Sequence, residues 1–192
     1  MNTVLFIVFL ILAFLWAGIP TGYLLVRILK KSDIRSTGSG NIGATNVKRV
    51  LGWGGFAAVL LLDAVKGALP LVIWLLIRDL PYPRAGFSEV LIAAVTIGGN
   101  IFSLWMGFKG GKGVATSLGC LAVLCPAPLL VMVAVFLVTL AVSNFVSLAS
   151  ILAAGCFPLI VFILARITRA SDTLALLVFA IVLALLLILR HR

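Results

Sequence analysis

Long apolar runs dominate this chain, at about residues 3–26, 54–77, 89–107, 114–125, 127–142, 148–165 and 173–189. Six of the seven approach the roughly 20 residues that a helix needs to cross a bilayer. The fourth is only about half that length and ends at Cys125-Pro126-Ala127-Pro128, where two prolines force a break before the next span. It starts directly after a Gly-Lys-Gly turn, so it reads as a half-buried helix whose positive N-terminal end faces a polar cavity. The expected fold is an all-α integral membrane protein of seven transmembrane helices, one of them short, with glycine-rich loops between spans.

Composition narrows this further. With 64% hydrophobic and 10% charged residues among 192, a soluble domain is excluded, and one membrane domain over 1–192 is the economical reading. The net charge of +10 comes from 15 Lys and Arg against 5 Asp and Glu. These cations sit between apolar spans rather than along one soluble face, which argues against nucleic acid and for membrane orientation and anionic substrates. Alternate connections give one side Arg27, Lys30, Lys31, Arg35, Lys48, Arg49, Lys109, Lys112, Arg190 and Arg192. The other side receives Arg78, Arg84, Arg166 and Arg169, so ten against four places the N-terminus outside and the C-terminus and both glycine-rich loops in the cytoplasm. The first run lacks a basic leader and continues to about Val26, which marks an uncleaved first span. Cys120, Cys125 and Cys156 lie in apolar stretches without CxxC spacing and are expected to be inert thiols.

Polar chemistry gathers in two segments. Residues 39–49 offer the hydroxyls of Ser39 and Thr45, the amides of Asn41 and Asn46, Gly40 and Gly43, and the cations Lys48 and Arg49. Glycine lets backbone N–H groups approach an anion, and the arginine fork matches phosphate oxygens. The segment has no Walker A spacing, so it would be a phosphate cradle of another type, or else a plain connector carrying topology signals. In 109–116, Gly110, Gly111 and Gly113 would each cost roughly 1 kcal/mol in a continuing helix, which implies a backbone constraint. Lys112, with Lys109 nearby, sets a cation beside a positive helix end, unfavourable without an anion. Asp63 and Lys66 share one face of the second span, where they either brace neighbouring helices or support the loops. Asn100, Ser143, Asn144, Ser147 and Ser150 are expected to hydrogen-bond between helices. With a single histidine, His191, and no triad, carboxylate pair or metal-ligand cluster, chemistry must rest on positioning and charge stabilisation. Neither a metal nor an organic cofactor is expected.

At these residues the chain resembles the bacterial acyl-phosphate:glycerol-3-phosphate acyltransferases of the PlsY family. The match comprises Ser39-Gly40-Asn41-Ile42-Gly43-Ala44-Thr45-Asn46-Val47 with Arg49, Asp63-Ala64-Val65-Lys66-Gly67, and Phe108-Lys109-Gly110-Gly111-Lys112-Gly113-Val114-Ala115-Thr116. The resemblance implies a multi-pass enzyme of the bacterial inner membrane, working with membrane lipid around it. It would move a fatty acyl group from acyl phosphate to the sn-1 hydroxyl of glycerol 3-phosphate, giving lysophosphatidic acid and phosphate in the first acylation of phospholipid synthesis. Ser39, Arg49, Lys112 and His191 would be catalytic. Gly40, Asn41, Gly43, Thr45, Asn46, Lys109, Gly110, Gly111 and Gly113 would bind substrate. The His-x4-Asp motif of acyl-CoA-dependent acyltransferases is absent, which implies independence of CoA.

The chain departs from that family's pattern at three places. Gly99-Asn100-Ile101-Phe102-Ser103 stands where the family usually has Gly-His before Phe-Pro, and Asn144-Phe145 where a basic residue often precedes the aromatic. The third motif, His-x-x-Asn leading to a glutamate, stops at His191-Arg192, which implies a less enclosed site and low turnover. Acyl phosphate is already activated, so no covalent intermediate is needed, and a donor phosphate oxygen could take the hydroxyl proton. Two other classes compete. A small organic-phosphate transporter or channel would spread polar groups through the membrane depth. A CDP-alcohol phosphotransferase would need an acidic metal cluster, which five scattered acids do not supply.

Overall fold

The computed structural model describes residues 3–78, 86–168 and 173–190. Its helices are α1 (Thr3–Ala17), α2 (Thr21–Lys30), α3 (Ala44–Arg78), α4 (Phe87–Ile101), α5 (Val114–Leu124), α6 (Pro126–Ser143), α7 (Val146–Thr168) and α8 (Thr173–Arg190). Single 3-10 turns at Ile34–Ser36 and Leu104–Met106 complete them, with no strand among the described residues. Among the described residues five segments are long and apolar enough to cross a membrane: Thr3–Lys30, Ala44–Arg78, Phe87–Met106, Pro126–Ser143 and Val146–Ile167. The shorter apolar helices Val114–Leu124 and Leu174–Arg190 bring these to the seven expected, in the expected order, with the fourth only 11 residues long.

Two local features differ from the sequence reading. The first apolar run is broken at Gly18-Ile19-Pro20, because Pro20 has no N–H to continue the ladder and becomes the cap of α2. Residues 44–51, read as loop, form the first turns of α3 and are set off by Gly52 at φ 70°, ψ −163°. This stretch is helical because it has an apolar face. Val47 is buried with Val26, Ile34, Ile42 and Val59, and Ala44, Val50 and Leu51 pack against that cluster.

The chain forms two compact units, Met1–Pro70 with Val95–Cys120, and Leu71–Ala94 with Leu121–Arg192. In the first, α3 and α5 meet backbone to backbone. A Cβ on Gly67 would stand 2.1 Å from the Thr116 carbonyl oxygen, and one on Gly119 would stand 1.9 Å from that of Ala64. Lipid gives helices little hydrophobic reason to associate, so small residues and close contact must do it. The Cys120 thiol adds a hydrogen bond to the Gly67 carbonyl at 3.3 Å.

The helix break in the same unit leaves carbonyls without helical partners, and each finds another donor. Trp105 Nε1 donates to Leu15 O at 3.0 Å, Ser103 Oγ to Gly18 O, and Lys66 Nζ to Ile19 O at 2.6 Å. At membrane depth such groups must be satisfied internally, since each orphan costs several kcal/mol.

In the second unit α7 packs against α6 and α8. Phe157 and a run of buried small residues, Ala149, Ala153, Ala154, Ala180 and Ala184, let these helices approach. Pro126 opens α6 in its first turn, and Asn144, left-handed at φ 59°, closes it by donating its N–H to Leu140 O at 2.8 Å. Glu89 sits buried in the first turn of α4, accepting from Trp74 Nε1 at 2.7 Å and from Ser88 Oγ at 2.9 Å.

Candidate active site

The first glycine-rich loop is built around one side chain. Asn46, 2% exposed, donates through Nδ2 to Thr37 O and Asn41 O at 2.9 Å each, and its Oδ1 accepts the Ser39 N–H at 3.2 Å. Asn41 Oδ1 in turn accepts the Gly43 N–H at 2.8 Å, an Asx turn that delivers Gly43 as the cap of α3. Gly43 O then accepts from Asn46 N and Val47 N, which starts the helix. Upstream, Asp33 accepts from the Arg35 backbone at 2.9 Å and from its guanidinium at 2.6–3.1 Å. Arg35 thereby holds the Asp33 carboxyl down at about 2, through its side-chain bonds first and its backbone N–H second.

Asn41 and Asn46 are therefore committed to the loop itself, while Ser39 and Arg49 are left available. Ser39, Thr45 and Arg49 are exposed, and among the described residues neither the Ser39 hydroxyl nor the Arg49 guanidinium has a hydrogen-bonding partner. Arg49 lies over the bare Cα of Gly38, left-handed at φ 58°, where a Cβ would come within 2.6 Å of its Nη1. Lys48 turns away to the Trp53 ring, 3.3 Å from its centroid. The Gly40 N–H is engaged by Thr37 O at 3.1 Å. The amides open to an anion here are those of Ala44 and Thr45, which no carbonyl within α3 can reach.

The second loop leans on the end of α4. Gly110 N–H donates to Ile101 O and Gly111 N–H to Asn100 O, both at 3.0 Å. A Cβ on Gly110 would stand 2.0 Å from Asn100 O, so the constraint legible in these glycines is close approach to another backbone. Gly113, at φ 82°, caps α5 by accepting both the backbone N–H and the hydroxyl of Ser117 at 2.8 Å. Lys109 is exposed and Lys112 half-buried beside that helix start. Asn100 and Ser103, two points of departure from the family pattern, both work here: Asn100 beside Gly111, Ser103 on Gly18 O.

The two loops come together at one small cavity. Ile42 and Gly43 line it from the first loop and Gly111 from the second, with Thr21, Asp63, Lys66 and Asn100 around them. His191 lies outside the described residues. The sequence reading missed Thr21, Ser103 and Trp105, although a proline inside the first apolar run was the available signal for a break there.

A family profile described as glycerol-3-phosphate acyltransferase matches residues 7–192. The chain belongs to the glycerol-3-phosphate acyltransferase family. Relatives of that name include one from Myxococcus xanthus, 50% identical over 145 residues, covering 76% of this chain and 73% of the relative. Another, from Geobacter sulfurreducens, is 39% identical over 183 residues, covering 94% and 87%. The fold is similar to the crystal structure of PlsY (YgiH), an integral membrane glycerol 3-phosphate acyltransferase, in its glycerol 3-phosphate form. There the TM-score is 0.85 at 34% identity, over 97% of this chain and 88% of that one. The lysophosphatidic acid form of PlsY gives 0.83 at 33%, with the same coverage. As a glycerol-3-phosphate acyltransferase family member the chain is a multi-pass integral membrane protein, and the transporter and phosphotransferase readings fall away.

Proposed function

We propose that this protein transfers a fatty acyl group from acyl phosphate to the sn-1 hydroxyl of glycerol 3-phosphate, releasing lysophosphatidic acid and phosphate. The hydroxyl oxygen attacks the acyl carbonyl carbon, the bond from that carbon to the phosphate oxygen breaks, and the hydroxyl proton passes to the departing phosphate. No acyl-enzyme forms. Arg49 and Ser39 hold one phosphate with the first amides of α3, and Lys109 and Lys112 balance charge on the other. In this scheme Asn46, Asn41, Gly40, Gly43, Gly110, Gly111 and Gly113 shape the two loops, Thr45 contributes its N–H, and His191 closes the site. The site opens to the cytoplasm, with the N-terminus outside, in keeping with ten cations on that side against four.

The observation that supports the reading most directly is the cavity where Gly43 of one loop and Gly111 of the other share a wall; Ser39 and Arg49 of the first loop are unengaged but do not line it. Purified protein supplied with glycerol 3-phosphate should make lysophosphatidic acid and phosphate in equal amounts from acyl phosphate, and neither from acyl-CoA. Acylation from acyl-CoA alone would overturn the donor.

A further inference from the structure

We propose that Thr21, Asp63 and Lys66 are positioning residues for this acyl transfer, fixing the two glycine-rich loops relative to each other through the break in the first span. The proposal rests on the acyl-transfer reading and extends it to the polar wall of the cavity between the loops.

A broken membrane helix exposes carbonyls that a cation, a water or a side chain must satisfy. Here the cation is built in. Lys66, 4% exposed, donates through Nζ to Ile19 O at 2.6 Å, with that nitrogen 2.8 Å from Asp63 Oδ1. The Thr21 hydroxyl, on the far side of the break, donates to the same Asp63 oxygen. An i,i+3 pair that only neutralised itself would need neither the bond to Ile19 nor that from Thr21. Together they clamp both sides of Pro20 onto α3.

The first loop is one contact away from that clamp and the second loop two. Gly22, next to Thr21, lies so close to the first loop that a Cβ would stand 2.0 Å from Ile42 O. Gly18 O holds Ser103, and the carbonyls just upstream of Ser103, on Asn100 and Ile101, hold Gly111 and Gly110 of the second loop. Transfer between two phosphate-bearing substrates requires both cradles in fixed register, and a displacement near 1 Å costs about 100-fold in rate.

Thr21→Val keeps the side-chain shape and removes only the hydroxyl. We expect kcat to fall about 100-fold, with the unfolding midpoint held and faster hydrogen exchange over residues 39–47 and 109–116. Thr21→Ser should restore both. The double variant Asp63→Asn/Lys66→Met removes both charges, so neither is left buried alone. A pair serving only mutual neutralisation predicts parental turnover there, whereas loss of the Ile19 tie predicts turnover as low as in Thr21→Val. Parental kcat and exchange in Thr21→Val and in the double variant, or failure of Thr21→Ser to restore them, would overturn the proposal. Should the parent not acylate glycerol 3-phosphate, the acyl-transfer reading fails, and the exchange comparison alone still decides whether the clamp holds the loops.

Discussion

Gly110→Ala tests whether the second loop works through its close backbone approach to α4. The new Cβ would stand 2.0 Å from Asn100 O and 2.8 Å from Ile101 O. Nonbonded heavy atoms rest at about 3.5 Å, so the loop must retreat by roughly 1 Å or more. That retreat breaks the Gly110 and Gly111 N–H bonds, each 3.0 Å, to Ile101 O and Asn100 O. At about 1 kcal/mol each they amount to roughly 2 kcal/mol of local stability. Lys109 and Lys112 move with the backbone, and about 100-fold should go from kcat. Gly98→Ala is the matched control, since its Cβ meets nothing within 4 Å and a mid-helix alanine gains about 0.5–1 kcal/mol. The assay is phosphate release at varied glycerol 3-phosphate, with thermal unfolding of both variants alongside. Turnover in Gly110→Ala within about twofold of the parent would refute the reasoning and leave the loop a mere connector.

Arg49→Lys keeps the charge but loses the fork, and kcat/KM for glycerol 3-phosphate should drop roughly tenfold or more with folding intact; an unchanged value would remove Arg49 from the site. Asn46→Ala deletes the bonds to Thr37 O and Asn41 O, so the loop should lose about 2 kcal/mol of local stability, read as faster limited proteolysis over residues 36–43. Asp33 is depressed from 3.8 to about 2, so its tie to Arg35 is fully present above the ordinary value and is lost as pH falls through about 2. A carboxyl shift titration should show that midpoint, and Arg35→Ala should return it toward 3.8. Cysteines at Ser39 and Phe87 should be labelled from opposite sides of the membrane, and labelling from one side only would sink the proposed topology.

Much of the fold was legible because hydropathy and proline act over short range. Pro126 and Pro128 marked the end of the short fourth helix, and the apolar runs marked the others. The break at Gly18-Ile19-Pro20 escaped because the run stays apolar across it, and its stabilising donors come from residues 66, 103 and 105. Residues 44–51 looked like loop because Thr45, Asn46, Lys48 and Arg49 masked the apolar face formed by Val47, Val50 and Leu51. Both loops were visible as concentrations of donors, but composition does not say where a donor points. Asn46 turns inward to its own loop, and the N–H groups of Gly110 and Gly111 turn to α4, which leaves Ser39, Arg49 and Lys109 outermost.

The broken first span has a consequence for how the protein is made. Thr3–Lys30 reaches the insertion machinery as one 28-residue segment of mean hydropathy 2.5. At that moment Lys66, Ser103 and Trp105, which later take the Ile19, Gly18 and Leu15 carbonyls, have not been synthesised. An uncapped break in hydrocarbon costs several kcal/mol per exposed group, so the segment cannot settle into its final form alone. Its full set of donors exists only once residue 105 has been made. This span thus reaches its final form only after α3 and α4 have followed it into the membrane.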